Sequence, residues 1–387
     1  MKKPIFSIFL FLLITQTTFA TTYRIGSEQE FTAILSKLVP GDEVLIKDGA
    51  YADWAIDITA AGTAKAAITI RSENEGKVIF SGDGSRTLFK LSGDYLILKG
   101  INFRKCTLLK SAALIVINNA SYCSVKSCTF SENIAKIQYT PLVVVSGKGT
   151  GNDISNCLFK ANIDNQDVQV KITKESSPQN TLIENNTFEN KAKVSWKNGN
   201  GGECVQVGQD PVGLGSIISN TTVRFNRFIR CNGEPEVISN KSSNNIYLKN
   251  YFEANDGELV MRGGHDCLIE GNTFKGGSGG IRVNGTGHTI INNEISAVKT
   301  AIRLMYGMAR GKTAVGFYIA ASGCTIKNNK IDQATIGILM GDSKDVDWTG
   351  KFDTVRYPSP VMQNIAPFDN RIEENRFTKT EKNVVIQ

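Results

Sequence analysis

A short motif that recurs nine times constrains the fold of this chain more than any other feature. It starts with an apolar residue, has a small polar residue in its fourth position and ends in Phe or Ile. The fourth positions are Cys128, Cys157, Asn186, Asn226, Asn250, Asn272, Asn293, Asn329 and Asn375. They are 21 to 46 residues apart, and most gaps are between 21 and 29. This spacing is typical of a solenoid whose coils each hold three short strands.

The composition of the motif predicts what holds the coils together. Apolar and polar residues alternate within each run, which favours strands over helices. Equivalent positions of successive coils lie about 4.8 Å apart, so the fourth positions form a column. Asn side chains in such a column can hydrogen-bond one another and the turn backbone, and Cys128 and Cys157 fit the same slots. A disulfide between these two cysteines remains an alternative, since bridging requires a narrow geometry.

Both the start of the solenoid and its interruptions can be located. Residues 27–38 are predicted to form a short amphipathic helix, with Ser27 and Glu30 as a capping box. This helix would cover the open first coil and block edge-to-edge strand pairing. The long gaps place insertions at residues 189–222, 296–325 and 332–371, and such insertions commonly line a binding face.

Composition limits the class of protein. The chain has 387 residues, of which 41% are hydrophobic and 21% charged, so it is not disordered. Two or three compact domains would fit this length, but the repeat favours one solenoid domain over residues 21–387. The net charge of +7 is a mild excess without Lys/Arg runs, which predicts no nucleic-acid partner and permits an acidic one.

Residues 1–20 have the three parts of a secretory signal peptide. Lys2 and Lys3 precede an apolar run from Ile5 to Ile14, and small residues end the segment at Ala20. The run is too short to span a membrane. We therefore expect an exported protein, periplasmic or secreted, without a membrane partner.

Charged residues converge on one stretch of the solenoid. Glu234 and Glu236 alternate by two, Lys241 follows, and Arg262 lies 21 residues after Lys241, about one coil further on. With only two histidines in the chain, a catalytic triad or a His-based metal site has little support. A solvated strand face with charge pairs would also explain these residues.

Four strings lie within and beside this stretch: Asn198-Gly-Asn-Gly-Gly-Glu203, Glu234-Pro-Glu236, Asn240-Lys241-Ser242 and Met261-Arg262-Gly263. They resemble polysaccharide lyase family 6, the family of alginate lyases and the dermatan-cleaving chondroitinase B. The resemblance covers most of the chain after the signal peptide. It implies an all-β, right-handed parallel β-helix that cleaves uronate polysaccharides by β-elimination.

The resemblance also implies roles for individual residues. Lys241 matches the general base and Arg262 the general acid, while Asn200, Glu234 and Glu236 match the ligands of a calcium ion. Oxygen ligands suit Ca²⁺, which would neutralise the substrate carboxylate. A Lys base must be neutral, and nearby positive charge would lower its pKa. Arginine is a poor acid, so part of the role of Arg262 would be electrostatic.

Other residues are predicted to bind substrate. Arg282 lies 20 residues after Arg262, which suggests the next coil and the same face, and Arg303 and Tyr306 begin the following insertion. Each has a structural alternative, as a surface charge or a packing aromatic. Many family members have His directly after the acid Arg. Here the string is Arg262-Gly-Gly-His265, so His265 either takes over that sugar contact or bonds within the next turn.

The sequence therefore predicts a calcium-dependent alginate lyase. One alternative is a lyase of the same family that acts on dermatan sulfate. The single-domain length of the present chain and its Gly279-Gly-Ile-Arg-Val283 segment favour the alginate branch of the family over the dermatan sulfate branch. A second alternative is a non-catalytic β-helix that binds carbohydrate, in which the patch of Lys241 and Arg262 would be incidental.

Overall fold

The chain winds into a right-handed parallel β-helix, described here from a computed structural model for residues 20–209 and 215–387. Three parallel sheets form its sides, and each coil contributes one strand to each sheet in the order one, two, three. The predicted fold class is confirmed. No helix among the described residues is long and apolar enough to cross a membrane. The predicted signal peptide lies outside the described residues except for its last residue, Ala20.

Sheets one and two meet at the bend that carries the repeated polar residue. Within the described residues, sheet one has thirteen strands: Thr22–Ile25, Glu43–Ile46, Ile68–Ser72, Leu96–Lys99, Ser124–Lys126, Asp153–Ser155, Leu182–Glu184, Thr222–Arg224, Ile246–Leu248, Leu268–Glu270, Thr289–Ile291, Thr325–Lys327 and Arg371–Glu373. Sheet two stacks Gly49–Tyr51, Val78–Gly84, Asn102–Leu108, Thr129–Ser131, Leu158–Lys160, Thr187–Lys191, Arg227–Cys231, Tyr251–Asn255, Thr273–Gly277, Glu294–Ser296, Lys330–Asp332 and Arg376–Thr378, with Ile134–Ala135 paired beside Asn102–Leu108.

Sheet three carries the candidate site. In the part of the chain that the structure describes, its twelve strands are Ile56–Ile58, Phe89–Leu91, Ile115–Asn118, Pro141–Ser146, Gln166–Val170, Val205–Val207, Glu236–Lys241, Glu258–Gly263, Gly279–Val283, Thr300–Met305, Ile336–Asp342 and Lys382–Ile386. A separate antiparallel pair, Val346–Asp347 with Met362–Gln363, lies in the last insertion.

The predicted N-terminal helix is confirmed, with shorter bounds. It covers Glu28–Ile34 and continues as a 3₁₀ turn over Leu35–Lys37. The Ser27 side chain accepts a hydrogen bond from the Glu30 N–H, as a capping box requires. The Glu30 carboxylate reaches the N–H of Gly26 rather than that of Ser27, so the reciprocal bond is shifted by one residue.

An asparagine ladder runs through the bend between sheets one and two, as the repeat predicts. The Asn226 side chain donates to Asn250 Oδ1 at 3.1 Å, and that of Asn250 donates to Asn272 Oδ1 at 3.0 Å. The ladder continues to Asn375. Cys128 and Cys157 occupy its first positions as buried free thiols, so the disulfide alternative is not observed. Directly beside the ladder, the rings of Phe130, Phe159, Phe188, Phe228, Phe252 and Phe274 stack in the core.

Removing a rung of this ladder should destabilise the protein. In Asn250→Ala, the buried carbonyl of Val223 and the N–H of Asn226 each lose a partner. We expect the free energy of unfolding to fall by about 2–4 kcal/mol, since each unpaired buried group costs about 1–3 kcal/mol. Chemical denaturation measures this change. In the matched variant Asn375→Ala, the change lies at the half-buried end of the ladder, where water can replace the lost hydrogen bonds. Its free energy of unfolding should therefore fall by less than that of Asn250→Ala. Equal decreases in the two variants would contradict this account.

His288 belongs to a second bend, where it takes the place of an asparagine. Its Nδ1 accepts from the Cys267 N–H, as Asn245 and Asn370 accept from backbone N–H groups in other coils. Burial, followed by the charge of His265, lowers the pKa of His288 from 6.5 to about 4. These contacts give His288 a role in the fold.

This histidine should make stability depend on pH. Between pH 6.5 and 4 the unfolded chain binds a proton at His288 that the folded chain excludes. Its contribution to stability is therefore complete above pH 6.5 and falls toward pH 4, by about 3 kcal/mol in total. Denaturation of the wild type and of His288→Asn at several pH values should give a shallower slope for the variant. Parallel slopes would contradict the assignment.

Candidate active site on sheet three

The two predicted catalytic residues and Arg282 lie on the outer face of three neighbouring strands of sheet three. Lys241 ends the strand Glu236–Lys241, and Arg262 lies near the end of the next strand, Glu258–Gly263. The neighbouring Ile281 and Val283 are buried in the core, so Arg282 between them points outward. Arg282 and the two predicted catalytic residues are therefore on one surface.

The register between these strands differs from the simple one-coil offset that the spacing suggests. Asn240 pairs with Met261 and Lys241 with Gly263, so Arg262 is the extra residue of a β-bulge. Arg282 is one coil further on, as expected, but it pairs with Val260 rather than standing directly above Arg262. Bulges re-aim side chains beside functional sites. This bulge sets the direction of Arg262 relative to Lys241.

Three buried glutamates form an acidic triad beside these cations. One carboxylate oxygen from each of Glu203, Glu234 and Glu236 lies within 4.8 Å of the others. Glu236 begins the strand that Lys241 ends, Glu234 precedes it by two residues, and Glu203 precedes the strand one coil earlier. The sequence prediction named Asn200 and two of these glutamates as ligands but did not name Glu203. Its position directly after Gly201-Gly202 was the only signal for it.

Two glycines allow the backbone to approach the triad. The N–H groups of Gly201 and Gly202 both donate to Glu234 Oε2. Gly201 has a φ of +90°, and a Cβ on Gly202 would lie 2.6 Å from the carbonyl carbon of Gly233. Side chains at these positions would therefore push the loop away from Glu234.

The predicted ligand Asn200 lies in the same loop, with an exposed side chain. Its carbonyl accepts from Gln138 Nε2, and its N–H donates to Asn198 Oδ1. Within the parts of the chain that are described, its side-chain amide makes no hydrogen bond. A role for Asn200 as a metal ligand stays a prediction.

Glutamine side chains fix the remaining glutamate of the triad. Gln166 donates to Glu203 Oε2 at 2.9 Å, and Gln206 donates to Glu203 Oε1 at 3.0 Å. Gln169 joins these two glutamines by further hydrogen bonds. The Glu203 carboxylate is thus held in a fixed orientation toward the triad.

The two glutamates of the Glu234-Pro-Glu236 string have pKa values shifted in opposite directions. Burial, together with the charges of Glu203 and Glu236, raises the pKa of Glu234 to about 9. Burial also acts to raise the pKa of Glu236, but Arg262, Arg282 and Lys241 lower it to about 2. Arg282 hydrogen-bonds Glu236 Oε1, and Arg262 Nη1 lies 3.9 Å from the same oxygen. Glu236 Oε2 is buried without a hydrogen-bond partner.

This arrangement fits a hard cation. The triad supplies carboxylate oxygens at close range, and one of them, Glu236 Oε2, lacks a partner. Such oxygen-only ligand sets suit Ca²⁺. Burial, together with the confinement of three carboxyl groups without a cation, favours protonation of one of them and so raises the pKa of Glu234.

Lys241 is buried beside the triad. Among residues 20–209 and 215–387, none forms a hydrogen bond or an ion pair with its ammonium group. Burial, followed by the positive charge of Arg262, lowers the pKa of Lys241, although the three glutamates oppose the shift. Gly208, with a φ of +88°, lies in the preceding coil and lets that coil pass close to Lys241. A Cβ at position 208 would lie 3.2 Å from the Cβ of Lys241. A neutral amine is the form that can accept a proton.

The predicted substrate-binding residues lie in different surroundings. Arg303 is paired with Glu258 and with Asp342, the latter at 2.8 Å, and lines a groove of about 460 Å³. Tyr306 is buried, and its hydroxyl donates to the Gln387 carbonyl at 3.3 Å. His265 is buried, and its Nδ1 lies 2.8 Å from Oγ1 of Thr286, which is in the corresponding turn of the next coil. The fourth predicted substrate-binding residue, Arg282, contacts Glu236 of the acidic triad, and the other three make no such contact among the described residues.

Known proteins share both the fold and the sequence pattern. The family model for chondroitinase B matches residues 25–385. The chain belongs to this family, polysaccharide lyase family 6. It is accordingly a polysaccharide lyase by family and not the non-catalytic carbohydrate-binding protein that the sequence left as an alternative. No curated protein sequence matches the chain.

Solved structures of family 6 lyases are similar to the chain over most of its length. A mannuronic acid-specific family 6 lyase from human gut microbiota is 26% identical with a TM-score of 0.75, over 92% of this chain and 82% of that one. A family 6 lyase from Pseudopedobacter saltans is 21% identical with a TM-score of 0.76, over 94% and 91%. The alginate lyase AlyGC is 22% identical with a TM-score of 0.74, over 95% of this chain and 53% of its own. The latter two show likeness of fold.

Proposed function

We propose that this lyase cleaves the 1,4 linkage of alginate by β-elimination and requires calcium. The observation that carries the proposal is the outer face of sheet three, where Lys241, Arg262 and Arg282 lie next to a buried acidic triad. Cations on this face suit an anionic polymer, and the triad suits a metal that neutralises one carboxylate of that polymer. The similar structures named as alginate lyases support this substrate over dermatan sulfate.

Each residue of the face has a task in elimination. Lys241, whose pKa is lowered by burial and by Arg262, removes the C5 proton of the uronate. Glu203, Glu234 and Glu236 would hold the calcium ion, together with Asn200 as the family resemblance implies. When bound, calcium neutralises the substrate carboxylate and so acidifies the C5 proton. Arg262, which is next to Lys241 across the bulge, would stabilise the charge that develops on the leaving O4.

Substrate contacts beyond the reacting sugar are proposed for Arg282, Arg303, Tyr306 and His265. The Nε of Arg282 is buried without a hydrogen-bond partner. Arg282 can therefore bind a substrate carboxylate while it keeps its contact with Glu236. Arg303 lies in the neighbouring groove, whose volume of about 460 Å³ is within the usual range for ligand pockets. Export across a membrane, by the predicted signal peptide, would bring the enzyme to a polymer outside the cell.

A substrate panel tests the proposal. The protein is mixed with alginate and with dermatan sulfate, and the ultraviolet absorbance of the new double bond is followed. We expect a signal on alginate that a chelator removes and calcium restores. A signal on dermatan sulfate alone would show that dermatan sulfate, and not alginate, is the substrate. The absence of a signal on any uronate polymer would contradict the proposed lyase activity.

A further inference from the structure

The loop that carries the predicted ligand Asn200 is bound by a side chain from two coils earlier. Gln138 precedes the strand Pro141–Ser146 of sheet three, whereas the loop precedes Val205–Val207, two strands further along that sheet. The side-chain amide of Gln138 donates to Asn198 Oδ1 at 2.6 Å and to the carbonyl of Asn200 at 2.9 Å. The fold, and not the local sequence, therefore brings Gln138 to this loop.

One peptide group connects Gln138 with the acidic triad. The carbonyl of Asn200 and the N–H of Gly201 belong to the same peptide bond, and no peptide bond among the described residues is cis. In a planar trans peptide the oxygen and the hydrogen point in opposite directions. Gln138 binds the oxygen, and Glu234 Oε2 accepts from the N–H. The peptide thus lies between these two side chains, and its orientation satisfies both of them.

Glu234 is the member of the triad that depends on this loop. In the described part of the chain, its carboxylate accepts hydrogen bonds only from the N–H groups of Gly201 and Gly202. The other two members have different partners: Glu203 accepts from two glutamine side chains, and Glu236 accepts from an arginine. A change in the orientation of the loop would therefore release Glu234 and leave the other two carboxylates held.

The backbone at Gly201 can also accommodate the opposite orientation of this peptide. Gly201 has a φ of +90°, and a glycine enters such conformations freely, so the peptide before it can rotate at little steric cost. After that rotation the carbonyl oxygen of Asn200 would face the carboxylate of Glu234, and both groups are acceptors. Gln138 would lose the carbonyl that it binds. The amide of Gln138 therefore favours the observed orientation over the rotated one.

Two neighbouring residues reinforce the contact. The N–H of Asn200 donates at 3.2 Å to Asn198 Oδ1, the oxygen that also accepts from Gln138. The ring of Tyr139 lies against the next residue of the loop, since a Cβ at Gly201 would be 3.2 Å from its Cδ1. Residues 138 and 139 together hold the loop at three consecutive contacts just before it reaches the triad.

We propose that Gln138 is a positioning residue of the calcium site, which acts by orienting the peptide between Asn200 and Gly201. In that orientation the loop holds Glu234 within the triad. The inference rests on the proposed function, since it concerns the ion that the elimination is proposed to require. Gln138 forms no hydrogen bond with the triad in the described structure, so its effect passes through the loop. Residues that hold metal ligands in place typically contribute about 10–100-fold to metal affinity.

Calorimetric titration with calcium tests the proposal without reference to activity. Gln138→Met keeps the approximate size of the side chain and removes both hydrogen bonds, so the dissociation constant of calcium should rise about 10–100-fold. The matched control Gln179→Met removes an amide that donates to the Ile218 carbonyl at 2.8 Å, on a different bend, and should bind calcium as the wild type does. A rise of less than about tenfold in Gln138→Met would overturn the proposal.

Hydrogen–deuterium exchange separates a local rotation from a general loss of stability. Without calcium, residues 196–204 should exchange faster in Gln138→Met than in the wild type, because the N–H of Gly201 no longer stays bonded to Glu234. The ladder residues should exchange at an unchanged rate. Unchanged exchange in the loop, or faster exchange throughout the chain, would overturn the proposal.

The same titration distinguishes this inference from the function on which it rests. A wild type that binds calcium, together with a Gln138→Met variant that binds it equally well, rejects only the role of Gln138. A wild type that binds no calcium rejects the calcium requirement of the proposed function.

Discussion

Lys241→Ala is expected to lose about 10³-fold or more in kcat on alginate, while the protein keeps its fold. A positioned general base contributes about 10²–10⁴-fold, and no described residue near Lys241 can replace an amine that is buried yet unpaired. Steady-state rates from the absorbance of the unsaturated product give the ratio. The melting temperature should change little, because the ammonium makes no ion pair in the described structure that the substitution would break.

Two further variants separate base catalysis from charge. Lys241→Arg keeps the positive charge but cannot become neutral, so it should be as inactive as the alanine variant. Lys160→Ala removes an exposed lysine that pairs with Glu189 on sheet two, and should retain full activity. Substantial activity in Lys241→Arg would show that the position serves substrate binding rather than proton abstraction.

The direction of the pKa shift adds a pH test. Burial and Arg262 lower the pKa of Lys241 below its usual 10.5. The rate should therefore rise with pH as the amine loses its proton and reach a plateau below the pH at which an ordinary lysine titrates. A rise that ends only above the usual lysine range would contradict a perturbed base.

Loss of the acidic triad is the second change with a large expected effect. Glu234→Gln and Glu236→Gln should each weaken calcium binding and reduce kcat by about 10²-fold or more, because a charged ligand is removed from a buried site. Calorimetric titration with calcium measures binding without reference to activity. Glu184→Gln breaks a comparable Glu–Arg pair on sheet one, with Arg224 at 2.7 Å, and should bind calcium as the wild type does.

Calcium binding should also release a proton. Without a cation, burial and the neighbouring glutamates raise the pKa of Glu234 to about 9, so its carboxyl group is protonated at pH 7. Because the ion binds the charged form, its affinity should rise about tenfold per pH unit from pH 7 toward 9. Titrations in buffers of different ionisation enthalpy count the protons released. No proton release at pH 7 would contradict either the raised pKa or calcium binding at this triad.

The solenoid was predictable because its stabilising contacts recur in every coil. Asn250 and Asn272 hydrogen-bond in the same way as Asn293 and Asn329, so a spacing in the sequence translates directly into a column in space. The capping helix followed from Ser27 for a similar reason, since its signals are local. Local and repeated interactions can be recognised from one sequence.

The site was predictable only where motif strings carry it. Lys241, Arg262, Glu234 and Glu236 lie together on sheet three as the resemblance implies, although the bulge at Arg262 is a matter of strand register that the spacing cannot reveal. Tyr306, expected to face substrate, has its hydroxyl bound to the carbonyl of Gln387, a contact made across 81 residues.

Residues in the insertions were harder to predict. The contact of Glu203 with Gln166 links neighbouring coils. Tyr318, whose ring packs on the Arg262 guanidinium, reaches it only because residues of two insertions pack together. No periodic signal marks either of them. Their positions depend on tertiary packing, and the structure was needed to identify them.

The reaction in ¹⁸O-labelled water tests the central claim most directly. Elimination forms a double bond at C4–C5 and adds no water, so the alginate fragments should absorb in the ultraviolet, and their new ends should carry no ¹⁸O introduced by bond cleavage. Mass spectrometry of the earliest products, before the reducing ends exchange, makes this measurement. Saturated fragments that carry one ¹⁸O per cleavage would show hydrolysis and would contradict the assignment of Lys241 as the base of a lyase.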